Sequence, residues 1–384
     1  MVRVTNIIKL MSFLILLLPL ALLSAPDLSS QDETIKKIIP SLEKKITQTM
    51  KANGIPGVAV AIVSRDKVHY LKTFGVKRLG TKDQILPTTV FQIASLSKPV
   101  NATMMAILED KGTLSLEDPV ERFLPHFHLR KRLSTLKVCH LLSHSSGVPK
   151  QGFDGLIEAH IPRYKIIDKL QRAFPVAAPG KRFAYNNAMY GVVEDVITRA
   201  AGKPLEQALQ EELFRPLGMR HACVGLHALL NVKDRAYPHV PNGRGKYMPA
   251  QQYSKAYYAF PTAGGVNASI QDLIPFLQLY LGKPSPIVSS QTLKKLTNPF
   301  VKNNRAVLVH EAKKGVISNT YYGFGWHSMT FANEKIIYHQ GHLKGFRNFM
   351  GFIQDDVGII ILTNAEKKHA SKFALKFFDL YLNS

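Results

Sequence analysis

The chain is poor in cysteine and in acidic residues. It also lacks repeats, and each shortage narrows what it can be. Only two cysteines occur among its 384 residues, Cys139 and Cys223. They form no metal-ligand pattern; in an oxidising compartment they could pair, or equally stand as buried thiols. Acidic residues number 27 against 50 lysines and arginines, a formal net charge of +23. A basic chain can bind nucleic acid or an anionic membrane surface. Here the basic residues are scattered singly or in pairs such as Lys36-Lys37, and the longest run is Arg130-Lys131-Arg132. No aromatic-basic stripe accompanies them, so a basic solvated surface is expected and no specific nucleic-acid partner. Electrostatic contact with an acidic cell envelope stays open. No segment is low-complexity, and no G-x-S-x-G string occurs. That last absence disfavours a Ser-His-Asp hydrolase of the α/β type.

One long apolar run exists, Leu10 to Leu23, preceded by Arg3 and Lys9 and followed by Ser24-Ala25. This is the pattern of a secretory signal, so residues 1–25 are read as a signal peptide and the protein as exported, periplasmic or secreted if bacterial. The run falls short of the about 20 apolar residues a bilayer span needs. Pro26, just past the best cleavage point, leaves an uncleaved membrane anchor open. The remainder, 26–384, suits one large two-lobed domain or two domains.

Helical spacing of Ile35, Ile38, Ile39, Leu42 and Ile46 predicts a helix over about 32–51, with Pro40 kinking it or marking a later start. Val58 to Val63 reads as a buried strand and Val68 to Phe74 as its hairpin partner. Near the other end, Lys335 to His339, Phe346 to Ile353 and Val357 to Thr363 read as strands. A closing helix carries Phe373, Phe377, Leu380 and Tyr381. Tight connections imply antiparallel pairing. The expected fold is therefore α+β: one antiparallel sheet built from both termini (about 32–79 and 321–384), flanked by the terminal helices. A mostly helical lobe, about 80–320, is inserted between its halves.

Three strings could carry chemistry. Ser95-Leu96-Ser97-Lys98 opens a helix whose buried face is Val100, Met104, Ile107 and Leu108. A serine there lies where free backbone N–H groups favour developing negative charge, and Lys98 lies about one turn on. Serine needs a base to become a nucleophile, and lysine serves only if burial or nearby positive charge lowers its pKa. Three other S-x-x-K strings compete: Ser41/Lys44 in the terminal helix, Ser64/Lys67 in a hairpin turn and Ser134/Lys137 in a basic stretch. Tyr185-Asn186-Asn187 places a phenol and an amide two residues apart, able to face one cleft. The competing reading is a core tyrosine beside an N-capping asparagine. His339-Gln340-Gly341 ends a strand, where the glycine lets a ligand lie close and a backbone N–H could join that of Ser95 around an oxyanion.

With these strings the chain resembles the serine β-lactamase and penicillin-recognising D,D-peptidase superfamily, in the branch of class C β-lactamases, D,D-carboxypeptidases and related esterases. Further strings match in order, among them Gly112-Thr113-Leu114-Ser115, His144-Ser145-Ser146-Gly147, Ala263-Gly264-Gly265-Val266 and Tyr322-Gly323-Phe324-Gly325-Trp326. The resemblance implies a β-lactamase/transpeptidase-like fold and an acyl-enzyme on Ser95. Lys98 would help remove the serine proton, and Tyr185 would exchange protons with serine and leaving group. Asn187 would orient substrate and Lys98. The backbone amides of Ser95 and His342 would form the oxyanion hole, with His339 and Gly341 beside the substrate. Which of Lys98 and Tyr185 is the principal base is open. Class C β-lactamases usually carry lysine where His339 stands, and a histidine is charged only partly near neutral pH. A peptide or ester substrate is therefore expected ahead of a β-lactam, with Arg347 as a second candidate for binding a carboxylate. A β-lactamase, or a non-catalytic envelope-binding scaffold of the same fold, would also fit the pattern. The expected partner is a small-molecule or peptide acyl substrate, the expected state a monomer, and no metal or organic cofactor is implied.

Overall fold

The computed structural model describes residues 28–130, 133–304, 308 and 316–384, so the expected signal segment lies outside the described residues. The terminal helix, α1 (Leu28–Asn53), buries Ile35, Ile38, Leu42 and Ile46 on one face. It runs through Pro40, which is neither its start nor its end, so of the two readings of that proline the later start does not hold. Pro40 is exposed, so the carbonyl left without a helical donor one turn earlier faces water rather than the core.

Eight strands form one antiparallel sheet. In chain order they are β1 (Gly57–Ser64), β2 (Val68–Gly75), β3 (Val301–Lys302), β4 (Ile317–Tyr322), β5 (His327–Phe331), β6 (Glu334–Leu343), β7 (Phe346–Ile353) and β8 (Val357–Thr363). Their spatial order is β2-β1-β8-β7-β6-β5-β4-β3. Both chain ends thus meet at the β1–β8 pair, where Val58 opposes Thr363 and Ser64 opposes Val357. The sheet takes in Val301–Lys302 and Ile317–Tyr322, ahead of the expected lobe boundary near 321.

Alternation along β1 explains why it is buried throughout. Val58, Val60 and Ile62 join the core beneath α1 and the closing helix His369–Leu382. Ala59, Ala61 and Val63 join the larger core shared with the helical lobe. Period-2 side chains against two covered faces make a continuous apolar run, each large aliphatic side chain worth about 1.5–3 kcal/mol. The alanines face the helix Ile270–Tyr280, which packs on this strand.

Outside the lobe interface, α1 is pinned to the β1–β2 hairpin by polar groups. Asp32 Oδ1 lies 2.5 Å from His69 Nδ1, and His69 Nε2 lies 2.8 Å from Ser64 Oγ. Lys67 pairs with the same carboxylate. Both cysteines are free thiols, Cys139 buried and Cys223 half-buried. Among the described residues, no helix is long and apolar enough to cross a membrane.

Candidate active site

Ser95 sits in a single 3₁₀ turn, Ala94–Leu96, that leads into the helix α2 (Ser97–Asp110). The turn is unusual backbone. Ala94 has φ +55°, a left-handed conformation costing about 1–2 kcal/mol for a residue with a Cβ. Distant contacts hold it there. Ser97 Oγ donates to the Ala94 carbonyl at 2.6 Å and accepts from the Val266 N–H at 3.0 Å. Asn348 on β7 donates to the Gln92 carbonyl at 2.9 Å. Among the described residues no backbone carbonyl takes the N–H of Ser95, which leaves it as a donor for an oxyanion.

Gly341 explains how the sheet reaches this turn. A Cβ there would lie 2.1 Å from the Ile93 carbonyl oxygen and 3.4 Å from Ala94 Cβ. The group lying close to the strand at this glycine is thus the backbone that carries Ser95, where a ligand was expected. Only a residue without a side chain lets β6 approach that closely.

Lys98 is fully buried on the first turn of α2. Its Nζ lies 3.1 Å from Ser95 Oγ, 2.8 Å from Asn187 Oδ1 and 2.7 Å from the Ala263 carbonyl oxygen. Burial pushes its pKa down to about 7, against an upward pull from Asp154. A neutral amine has two N–H groups and one lone pair. The amide and carbonyl oxygens of Asn187 and Ala263 can only accept, so the lone pair is left for the hydroxyl proton of Ser95.

Tyr185 donates to Ser95 Oγ from the other side at 3.0 Å. Burial raises its pKa well above that of a free phenol, so it is protonated near neutral pH. Its ring lies 4.7 Å from Lys98 Nζ and 4.1 Å from the ring of His144. The residue that caps the next helix, α3 (Asn187–Gly191), is Asn186, through Met189 N at 2.9 Å. That capping role frees the amide of Asn187 for the cleft.

His339 differs from the expectation of partial charge. It is buried, and burial, then His327 and Lys98, push its pKa well below the ordinary histidine value. Its Nδ1 lies 2.8 Å from the Gln340 carbonyl, which can only accept, so Nδ1 carries the proton and Nε2 accepts from the Tyr322 hydroxyl at 3.1 Å. It is therefore a neutral imidazole. His342 follows on the same strand with its side chain exposed, opposite Arg347 on β7.

All seven expected site residues except Gly341 line or hydrogen-bond into one cleft of about 600 Å³ between the lobes, and Lys98 reaches it through Ser95; Gly341 lies behind the turn that carries Ser95. The other S-x-x-K strings do not converge on anything of this kind. Ser41 and Ser134 are exposed, Lys137 pairs with Glu117 at 2.7 Å, and Ser64 is bonded to His69. Residues the sequence did not single out also line the cleft: Gln151, Asp154, Phe183, Tyr257 and His327. Gln151 and Asp154 lie a few residues past the matched string His144-Ser145-Ser146-Gly147, the one signal that pointed near them.

The family profile described as Beta-lactamase matches residues 42–382. The chain is 26% identical over 285 residues to the Beta-lactamase-like protein 2 of Dictyostelium discoideum, covering 71% of this chain and 51% of that protein. It is 26% identical over 327 residues to the D-alanyl-D-alanine-carboxypeptidase/endopeptidase AmpH of Escherichia coli, covering 81% and 80%. To penicillin-binding protein 4* of Bacillus subtilis it is 26% identical over 351 residues, covering 86% and 72%. The chain thus spans about half the length of the Dictyostelium relative and about four-fifths of the Escherichia coli one. Among solved structures, the octameric penicillin-binding protein homologue from Pyrococcus abyssi superimposes with a TM-score of 0.80 at 25% identity. That match covers 90% of this chain and 78% of the other.

Proposed function

The chain belongs to the beta-lactamase family, and from that premise we propose that it is an exported serine hydrolase working through a Ser95 acyl-enzyme. Its substrate in this reading is a peptide, cleaved in the manner of a D,D-carboxypeptidase, or an ester. One observation carries the reading: a buried lysine with its pKa lowered to about 7 and a protonated phenol both lie within 3.1 Å of the same serine oxygen.

The chemistry follows from those protonation states. Ser95 Oγ attacks the acyl carbonyl while its proton passes to the Lys98 amine, forming the C–O bond and a tetrahedral oxyanion. The N–H of Ser95 and that of His342 receive the oxyanion. As the bond to the leaving group breaks, Tyr185 gives its proton to the departing nitrogen or oxygen and is reprotonated from Lys98. Water then attacks the ester of Ser95, its proton returning through the same pair, and the acid leaves. Because burial keeps the proton on Tyr185 and lowers the pKa of Lys98 to about 7, Lys98 in its neutral form is the base for the first step.

A neutral His339 supports the peptide or ester substrate over a β-lactam. It lacks the cation that lysine supplies at this position in class C β-lactamases, while Arg347 on the same wall is a cation for the terminal carboxylate of a peptide. The name of the Escherichia coli relative supports the peptide choice. Export rests on the N-terminal pattern alone, and contact with an acidic envelope on the charge of +23.

Treatment with a fluorophosphonate, with the adduct located by mass spectrometry, is expected to label Ser95 and to fail in Ser95→Ala. Acyl-D-Ala-D-Ala peptides and activated esters are expected to turn over ahead of cephalosporins. Absence of any Ser95 adduct would overturn the hydrolase reading. Cephalosporin turnover at the efficiency of a dedicated β-lactamase would overturn the substrate choice.

A further inference from the structure

We propose that Asp154 is a positioning residue for the base, acting on Lys98 through the side chain of Asn187. The inference rests on the hydrolase reading above and adds a residue to it. Asp154 begins the short helical segment Asp154–Glu158, set in place by Phe153 at φ +91°. Its Oδ2 accepts from Asn187 Nδ2 at 3.1 Å, and Asn187 Oδ1 accepts from Lys98 Nζ at 2.8 Å. A carboxylate can only accept and the lysine must donate here, so the two ends together dictate which way the amide is turned. Without the carboxylate, the Tyr257 hydroxyl is the other group at the amide; it can donate as well as accept, so it would not stop the amide from presenting its NH₂ to the amine. That orientation would turn Lys98 away from the geometry that leaves its lone pair on Ser95.

Charge reinforces the geometry. Asp154 is the anion that pulls Lys98 upward against burial, and Lys98 in turn pulls Asp154 down while burial takes its carboxyl up to about 6. The other groups facing this pair are uncharged or more distant in effect. Around Lys98 stand the protonated phenols of Tyr185 and Tyr190 and the neutral rings of His144, His327 and His339. Around Asp154 stand Tyr257 and Glu158. When Lys98 takes the serine proton, a new ammonium appears inside a buried site, and Asp154 is the carboxylate connected to it. A group that interacts more strongly with Lys98 after proton transfer than before it favours the transfer itself.

Two variants separate orientation from charge. Asp154→Asn keeps an acceptor for Asn187 Nδ2 and removes the charge; Asp154→Ala removes both. The measured quantity is the rate of fluorophosphonate labelling at Ser95 against pH, on protein whose near-ultraviolet circular dichroism matches wild type. In wild type the rate rises with pH to a plateau as Lys98 loses its proton. Asp154→Asn is expected to move that rise toward acid by about half a pH unit or more, because the charge that held the proton on Lys98 is gone. Asp154→Ala is expected to show the same shift and a plateau lowered about tenfold or more by the freed amide. A merely structural aspartate would lower the plateau without moving the rise. Superimposable profiles for wild type and Asp154→Asn overturn the proposal. Wild-type protein that takes no label at Ser95 defeats the hydrolase reading itself, and this inference falls with it.

Discussion

Ser64 and Ser95 are both hydrogen-bonded to side chains able to take a proton, and the two surroundings could hardly differ more. At Ser64 the partners are those of a catalytic triad: His69 Nε2 at 2.8 Å, with Asp32 Oδ1 at 2.5 Å from His69 Nδ1. At Ser95 they are an amine and a phenol. Yet Ser64 is 3% exposed, its N–H is taken by the Lys67 carbonyl at 2.9 Å and its carbonyl by Gln278 at 3.2 Å. No donor remains for an oxyanion and no substrate can approach. Ser95 opens on a cleft, and its backbone turn is held in a costly conformation with its N–H unspent. Triad geometry without a cleft is a clamp for α1. A strained turn beside a cleft is a site.

The sharpest way to break this comparison is to remove the base. Lys98→Met is expected to slow Ser95 labelling by about 10²–10⁴-fold, the usual worth of a positioned base, whereas Ser64→Ala labels as wild type. An adduct on Ser64 in any of these proteins would end the distinction. The same lysine gives a stability signature. Its folded pKa of about 7 lies below the ordinary 10.5, so the unfolded chain binds the extra proton between those values. Unfolding free energy should therefore rise with pH through that window in wild type, and Lys98→Met should lose that rise.

Gly341→Ala tests whether the close approach of β6 places the nucleophile. The added methyl meets a backbone carbonyl, so the turn must move, and a displacement on the order of 1 Å costs about 10²-fold. Labelling of folded Gly341→Ala at the wild-type rate would show that the turn is held from elsewhere. The smallest effect falls on the clamp. His69→Ala leaves the buried Ser64 hydroxyl without its partner and should destabilise by about 1–3 kcal/mol in urea titrations, with Ser95 labelling unchanged. A slowed labelling rate in that variant would couple the two regions.

Much of the fold was legible because its signals are local. Apolar spacing showed α1, the buried run Val58 to Val63 and the three C-terminal strands, and tight turns forced antiparallel pairing. Pro40 left a later start open because the rule against proline in helices assumes a carbonyl that must be satisfied by protein, and here the helix face at Pro40 is exposed. The corner residues were legible through short strings in a fixed order. Asp154 was not, since nothing in its neighbourhood says that it meets Asn187. The triad at Ser64 was hidden for the same reason: Asp32 and His69 are brought together by the packing of α1 on the hairpin.

By itself the sequence determined the elements at the two ends of the chain, the family and the serine proposed to react, because helix and strand periodicity and short motifs are properties of neighbouring residues. Only the tertiary structure decided the protonation of the site. Lys98 is neutral-prone, Tyr185 protonated and His339 uncharged because atoms from remote segments exclude water around them, Ala263 reaching Lys98 at 2.7 Å being one such contact. Desolvation depends on what surrounds a group in space, and the residues adjoining it in the chain carry almost none of that information.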